Sequence, residues 1–566
     1  MRSTSNYTKY SSLARKAAAL VAAAVLVFTL AGCFHNEPTE EAAVPANAPA
    51  ASPAAAQTAE ALPVEGGEFN IPMPMNPSTL NPLKVKNAEL ANIYSLIFES
   101  PVDIDTSGQP QPCLAETWDV SDDGKTWTFH LRKGIKFHGD LKDTMTAKDV
   151  EFTLDMLKDI PADKSVYGKL NGMFTSYSVG DDDYTFIVKT DKPNSAVLFS
   201  MVFPVLSKEY YENASGLDEK KPVGTGPYKL DNYDPEKGMT LSANQDWWKT
   251  KPFIQKINAV PMPDNDTELA SYQNTGDLDF VPTSLQTANK YSETGKTTVL
   301  DYNTQYYDCL MPNINNSIFS DPNVRKALAF SIDRGDLISK ALLNHAVAAD
   351  FPVPPDSWLY DGKLKIYEYN TSKAQELLSE SGWKDTDNDQ IMEKQENGQT
   401  VKLQFKLLVL KTSDITYKKD VANLLKEQLK SRGFDIIEIV EKEMKDYKTA
   451  LEQGNFDLAL CSFYMDRNPD LNFILHSNGS ENYSRYANAE MDNDLKECTE
   501  NVKEDKMKDA YGKLQQKFVN DLPHIGLYFR RNSLVYRSDI QGIGTIRELD
   551  VFRDISKWYI TTKNVE

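Results

Sequence analysis

Residues 421–440 read VANLLKEQLKSRGFDIIEIV. Val421, Leu424, Leu425 and Leu429 fall on one face of a helix, and Gly433 supplies its stop. Phe434 to Val440 (Phe-Asp-Ile-Ile-Glu-Ile-Val) then changes to strand-forming composition. A helix that runs straight into an apolar strand is half of an α/β unit. The same alternation extends in both directions. Ser320-Asp321-Pro322 places an N-cap oxygen ahead of a first-turn proline, and Val324, Ala327, Leu328, Ser331 and Ile332 mark the face that follows. Ala374, Leu377 and Leu378 mark another helix, stopped at Gly382, and Phe456-Asp457-Leu458-Ala459-Leu460 reads as a buried strand. A mainly parallel α/β domain is therefore expected across roughly 305–525.

Upstream the period shortens to two. Trp118 and Val120 alternate with polar residues, Asp122-Asp123-Gly124-Lys125 turns the chain, and Trp127, Phe129 and Leu131 alternate again. Tyr177 and Val179, the turn Gly180-Asp181-Asp182-Asp183, then Tyr184, Phe186 and Val188 repeat the pattern. These are two hairpins with one apolar face each, and no longer internal repeat is visible.

The chain has 566 residues, more than one compact core accommodates, so two or more domains are expected. Apolar residues make 40% and charged residues 25%, which is ordinary globular composition. With Lys plus Arg at 62 and Asp plus Glu at 82, the net charge is −20. Such a surface repels phosphate backbones, so no nucleic-acid partner is expected.

Residues 1–32 differ from the rest. Arg2, Lys9, Arg15 and Lys16 form a basic leader before the uncharged run Ala17–Gly32, a pattern of a secretory signal. Leu30-Ala31-Gly32-Cys33 resembles the lipobox of bacterial lipoproteins, which implies cleavage before Cys33 and a lipid on its thiol. A plain signal peptide or a short N-terminal anchor is the alternative. Residues 33–65 are rich in Ala and Pro and suit a semi-extended tether. Together they predict an extracytoplasmic body held to a cell membrane. Export leaves Cys113, Cys309, Cys461 and Cys498 open to three pairings or to remaining buried thiols.

Catalytic signatures are thin. His35, His130, His138, His345, His476 and His524 form no HExxH, and GxSxG is absent. Gly224-Thr225-Gly226-Pro227 begins like a phosphate loop, but Lys229 stands where a third glycine is needed, so a structural turn is the better reading. Asp385, Asp387 and Asp389 are spaced as EF-hand loop positions one, three and five, with Glu396 at position twelve. Gln390 replaces the glycine of that loop, and Glu393 stands at position nine. A solvated acidic turn explains the same residues, so no metal ligand and no cofactor is assigned.

Several short strings follow one another in fixed order. They are Leu114-Ala115-Glu116-Thr117-Trp118, Phe129-His130-Leu131-Arg132-Lys133-Gly134, Lys136-Phe137-His138 and Thr146-Ala147-Lys148-Asp149-Val150. Gly224-Thr225-Gly226-Pro227-Tyr228, Gly276-Asp277-Leu278-Asp279, Asp321-Pro322-Asn323-Val324-Arg325-Lys326-Ala327-Leu328 and Ile332-Asp333-Arg334 complete the series. From about 65 to 560 the chain resembles the extracellular solute-binding protein family 5, the oligopeptide- and dipeptide-binding receptors of ABC importers. On the residues alone, Trp118 and Phe129 pack a hairpin, Asp149 caps a helix beginning at Val150, and Arg325 and Asp333 tie helix ends to loops.

The resemblance implies a two-lobed periplasmic-binding-protein-like α/β fold (type II, cluster C-like) with an additional hairpin-rich domain. Lobe I would comprise 66–105, 222–303 and 527–566, the extra domain 106–221, and lobe III 304–526. It further implies that a monomer closes on small peptides and delivers them to the permease and ATPase of an ABC transporter. The ligand's ammonium group would meet Asp466 in the stretch Ser462-Phe463-Tyr464-Met465-Asp466-Arg467-Asn468-Pro469, with Phe463, Tyr464 and Met465 as neighbours. Here Phe463 takes the place of a family Trp, and Pro469 arrives one residue early. Nickel chelates, haem and oligosaccharides are rival cargoes within the same class. An exported lipoprotein hydrolase using His524 or His476 is the alternative from another class; no catalytic residue is assigned.

Overall fold

The structure is a computed structural model and describes residues 63–561 apart from 76, 78, 140, 142–143, 171, 213–219, 365–366 and 413–416. The signal segment, Cys33 and the tether as far as residue 62 lie outside the described residues. Both alternating segments pair as expected. Strands Ala115–Val120 and Thr126–Leu131 place Trp118 opposite Phe129 and Val120 opposite Trp127. Strands Ser176–Val179 and Thr185–Lys189 place Tyr177 opposite Val188. Thr126–Leu131 then pairs with Thr185–Lys189, so the two hairpins close one four-stranded antiparallel sheet. Its inner side chains Trp127, Phe129, Phe186 and Val188 are buried.

The helix packed on this sheet starts earlier than expected, at Ala147. Thr146 is its N-cap, and Asp149 bonds back to the Thr146 N–H at 2.8 Å, a reciprocal capping box rather than a cap at the start. Gly224 and Gly226 are framework. A Cβ on Gly224 would lie 2.2 Å from the Ile97 carbonyl oxygen, and one on Gly226 2.7 Å from that of Leu96. Only glycine permits this close approach of two backbones.

A second four-stranded sheet is built from distant segments. Strand Glu68–Pro74 runs parallel to Lys256–Met262, which continues to Gly238–Ala243 and Tyr228–Asp234. The largest sheet has seven strands, in the order Phe280–Thr283, Ile525–Arg537, Thr297–Pro312, Leu458–Tyr464, Gln404–Leu410 and Asp435–Lys442, with Ala346–Ala348 added to Ile525–Arg537. Its last three strands are mutually parallel, joined through helices Tyr417–Lys430 and Met444–Gln453. The expectation of a mainly parallel domain therefore needs correction. Thr297–Pro312 meets both Leu458–Tyr464 and Ile525–Arg537 antiparallel, so the sheet is mixed.

These two long strands explain the mixture. They pair from Thr297↔Arg537 to Leu310↔Ile525, with an irregularity between Asn303 and Tyr307. On one side of that break, Tyr302, Leu534 and Tyr536 enter a core shared with Phe69, Ile257 and Trp127. On the other side, Tyr307, Leu310 and Phe529 enter a core built from the helices and parallel strands. Two hydrophobic bodies thus share a pair of strands, and the bulge lies where the strands pass between them.

Helix Pro322–Phe330 has its N-cap at Asp321, and Asp333 caps Arg334–Ala341. Arg325 bonds the carbonyls of Phe319 at 2.8 Å and Leu522 at 2.9 Å, tying helix ends together as expected. Cys113, Cys309, Cys461 and Cys498 are all free and buried, although Cys309 and Cys461 face each other on adjacent strands. Burial pushes the thiols of Cys113 and Cys461 up to about 12, and the thiolate is the reactive form. Ellman's reagent should therefore find no fast thiol in the folded body downstream of Cys33 and four after unfolding. A rapidly labelled thiol in the folded body would contradict this packing.

Candidate ligand-binding cleft

Cavities of about 450 and 130 Å³ lie where the two bodies meet, a third of about 260 Å³ lies within the body that holds Phe69, and helix Ala88–Ser95 borders all three. The 450 Å³ cavity is walled by Lys86, Ala88 and Ala91 on one side, Ser165 to Tyr167 with Phe199, Ser200 and Val202 on another, and Tyr464, Asp466, Arg467 and Asn468 on the third. Arg467 crosses the junction by donating to the Leu549 carbonyl at 2.8 Å. The Gln305 N–H donates to Glu548 Oε2 at 3.0 Å, and the Met465 N–H to the Gln305 carbonyl at 2.8 Å.

Strand geometry sorts the four residues singled out in the sequence. Side chains alternate across Leu458–Tyr464. Phe463 is buried and stacks on Tyr483 with centroids 6.4 Å apart, and Met465 is buried in the same core. Tyr464 and Asp466 instead line the large cavity. Contiguity had grouped all four; alternation brings only two of them to the cleft. Asp466 Oδ1 accepts the Arg467 N–H at 2.7 Å.

Behind Tyr464 stands a layered support. Tyr464 meets Tyr306 edge to face at 5.1 Å, and the Arg530 guanidinium lies 4.0 Å over Tyr306. Arg530 pairs with the buried Asp308 at 2.9 Å, and Ser462 donates to the other Asp308 oxygen. Burial, with Glu548 and Asp466 adding repulsion, holds the Tyr464 hydroxyl above its ordinary pKa. It therefore stays a neutral donor at physiological pH.

The 260 Å³ cavity is acidic, bordered by Glu89, Glu268 and Glu548. Burial raises the Glu268 carboxyl to about 7; Asn265 opposes the rise and the Glu89 charge adds to it. Burial raises Glu548 as well. A cation entering here would relieve unfavourable charge. Neither Glu89, Glu268 and Glu548 nor Lys86 and Tyr167 was legible in advance. They come from segments far apart and share no local spacing; only Arg467 adjoins a residue the sequence had marked.

Among the described residues, neither His524 nor His476 is placed beside a nucleophile and an acid as a hydrolytic site requires. His524 is fully buried, both ring nitrogens lack partners, and burial pushes its pKa down to about 3. His476 Nδ1 accepts the Asn478 N–H at 3.0 Å and lies 3.9 Å from Asp492. Ser533, His345 and Asp301 do cluster, but Ser533 and Asp301 both approach His345 Nδ1, each at 3.3 Å. A relay needs them on opposite ring nitrogens.

The sequence profile of bacterial extracellular solute-binding proteins, family 5, matches residues 109–485. The chain is 27% identical over 536 residues to the oligopeptide-binding protein AppA of Bacillus subtilis, covering 90% of this chain and 94% of that one. It is 26% identical over 466 residues to the heme-binding protein A of Haemophilus influenzae, covering 78% and 82%. The solved structure of Bacillus subtilis AppA in complex with a nonapeptide superposes with a TM-score of 0.58 at 25% identity, covering 88% of this chain and all (100%) of that one. That likeness gives the chain the two-lobed fold of the family's binding proteins. No helix among the described residues is long and apolar enough to cross a membrane.

Proposed function

We propose, starting from the fact that the chain belongs to the bacterial extracellular solute-binding proteins of family 5, that it is the substrate receptor of an ABC importer and captures short peptides between its two lobes. The observation that carries this reading is the open cavity between the lobes, which offers a carboxylate (Asp466) and a neutral phenol (Tyr464) from one side and helix Ala88–Ser95 from the other. A peptide brings an ammonium group for the carboxylate and amides for polar walls, while its side chains fill wet space of low selectivity. The acidic cavity beside Glu268 suits a basic side chain of the bound peptide.

Closure would occur at the irregular stretch of the paired strands near Asn303 to Tyr307, and the closed form would present the surface that the permease reads. In this reading lobe I comprises 66–105, 222–303 and 527–566, and the extra domain 106–221 braces it. Lobe III, 304–526, brings Asp466. The receptor works as a monomer, held to the membrane by lipid on Cys33.

Calorimetric titration separates the cargoes. Tri- to pentapeptides should saturate the protein, whereas haem and a nickel–histidine chelate should give no saturable heat. Saturation by haem or the chelate and not by peptides would assign the cleft to that cargo. The anchor has its own test: cells fed labelled fatty acid should incorporate label into the wild-type protein and none into Cys33→Ala. Labelling of Cys33→Ala would refute the anchor.

A further inference from the structure

The acidic loop after helix Thr371–Glu380 lines none of the three cavities, and its side chains are arranged with care. Lys384 and Glu393 close its base as an antiparallel bridge, with both backbone bonds at 2.9 Å. Inside it, one oxygen each of Asp385, Asp387 and Asp389 accepts a backbone N–H: Gln390 at 3.1 Å, Asp389 at 3.2 Å and Ile391 at 2.8 Å. Asn388 and Gln390 adopt positive φ of 63° and 72°, the turn for which the sequence lacks a glycine.

The fourth carboxylate is not the one that EF-hand spacing suggests. Glu396 lies at the far end of a hairpin, Glu393–Glu396 against Gln399–Lys402, and faces Lys394 at 3.7 Å. In an EF-hand the exiting helix returns position twelve to the ion. Here a strand begins at position nine, so Glu393 returns instead. One oxygen from each of Asp385, Asp387, Asp389 and Glu393 lies within 4.8 Å of the others.

Glu393 supplies the observation that points to a ligand. It is only 4% exposed, and its Oε1 accepts the Thr386 N–H at 2.6 Å. Its Oε2 is buried without a hydrogen-bond partner, as is Asp385 Oδ1. A buried carboxylate oxygen left unpaired is costly. Lys402 bonds Asp387 Oδ2 at 2.7 Å and also Asp389 Oδ2, but one ammonium cannot balance four carboxylates, and it bonds neither of the two orphaned oxygens.

We propose that Asp385, Asp387, Asp389 and Glu393 bind one calcium ion. An all-oxygen, carboxylate-rich set selects a hard cation. Calcium fits such a flexible protein cage better than magnesium, which retains its waters and demands an octahedron. Lys402, whose side chain is 26% exposed, would swing its ammonium to solvent as the ion enters.

The test uses the whole chain stripped with EDTA and titrated with calcium chloride, followed by calorimetry and by melting temperature. The expected result is one site per chain, with a dissociation constant of roughly 10⁻⁵ to 10⁻³ M. At saturation Tm should rise by about 3 °C or more. Magnesium should bind at least about tenfold more weakly. Asp387→Asn, an exposed position that leaves folding intact, and Glu393→Gln should each weaken calcium about tenfold or more. Lys402→Met should bind calcium more tightly than wild type, because it removes the competing cation. The proposal is overturned if calcium at several millimolar gives neither heat nor a Tm change. It is equally overturned if Asp387→Asn and Glu393→Gln leave the affinity unchanged, or if Lys402→Met melts lower and stays insensitive to calcium.

Discussion

Asp466→Asn should lower the affinity for a peptide with a free amino terminus about a hundredfold while leaving stability nearly unchanged. A carboxylate–ammonium pair closed off from water is charge-assisted, and losing one partner leaves the other charge buried and unpaired. That costs on the order of 3 kcal/mol, or roughly two decades in the dissociation constant. Asn keeps an oxygen for the Arg467 N–H that Asp466 Oδ1 now accepts at 2.7 Å, so the local turn survives. Had Asp466 served only that turn, the substitution would lower stability by at most about 1 kcal/mol and leave binding alone. Calorimetry with a peptide and its N-acetylated form separates the two roles. Wild type should prefer the free amine strongly and Asp466→Asn should not; equal affinity of wild type for both forms would remove Asp466 from the site.

Arg530→Leu should destabilise the protein by about 3 kcal/mol, read as a lower urea midpoint at unchanged slope. Asp308 is fully buried, paired with Arg530 at 2.9 Å and accepting from Ser462. Removing the guanidinium leaves that carboxylate in the core with Lys418 as the remaining cation, and burial already pushes the Lys418 pKa down. Adding Asp308→Asn to Arg530→Leu should restore part of the loss, because the uncompensated charge disappears. If the double substitution is no more stable than Arg530→Leu alone, the ion pair is not what holds this layer. Because Arg530 also supports Tyr306 and, through it, Tyr464, peptide affinity should fall as well.

Local signals in the chain were legible where one residue's chemistry decides one conformation. Asp321-Pro322 started a helix, Gly433 ended one at a φ of +91°, and alternation across 115–131 and 176–189 gave two hairpins. What escaped is non-local. The strands Thr297–Pro312 and Ile525–Arg537 change hydrophobic core midway, so neither shows one clean pattern along its length. The helix start at Ala147 was misplaced by reading Asp149 alone as the cap, although Thr146-Ala147-Lys148-Asp149 carries the spacing of a capping box. Within the site, the run around Asp466 was marked by resemblance. The division of Phe463 and Met465 from Tyr464 and Asp466 depended on which strand face meets the core. In the acidic loop the spacing found three carboxylates and misassigned the fourth, since a hairpin stands where an EF-hand has a helix.

Native mass spectrometry of gently purified protein reads out what the cleft holds. The spectrum should show a heterogeneous set of adducts that are lost on unfolding and fragment as short peptides with free amino termini. A single adduct identified as haem, a metal chelate or a sugar would contradict peptide binding.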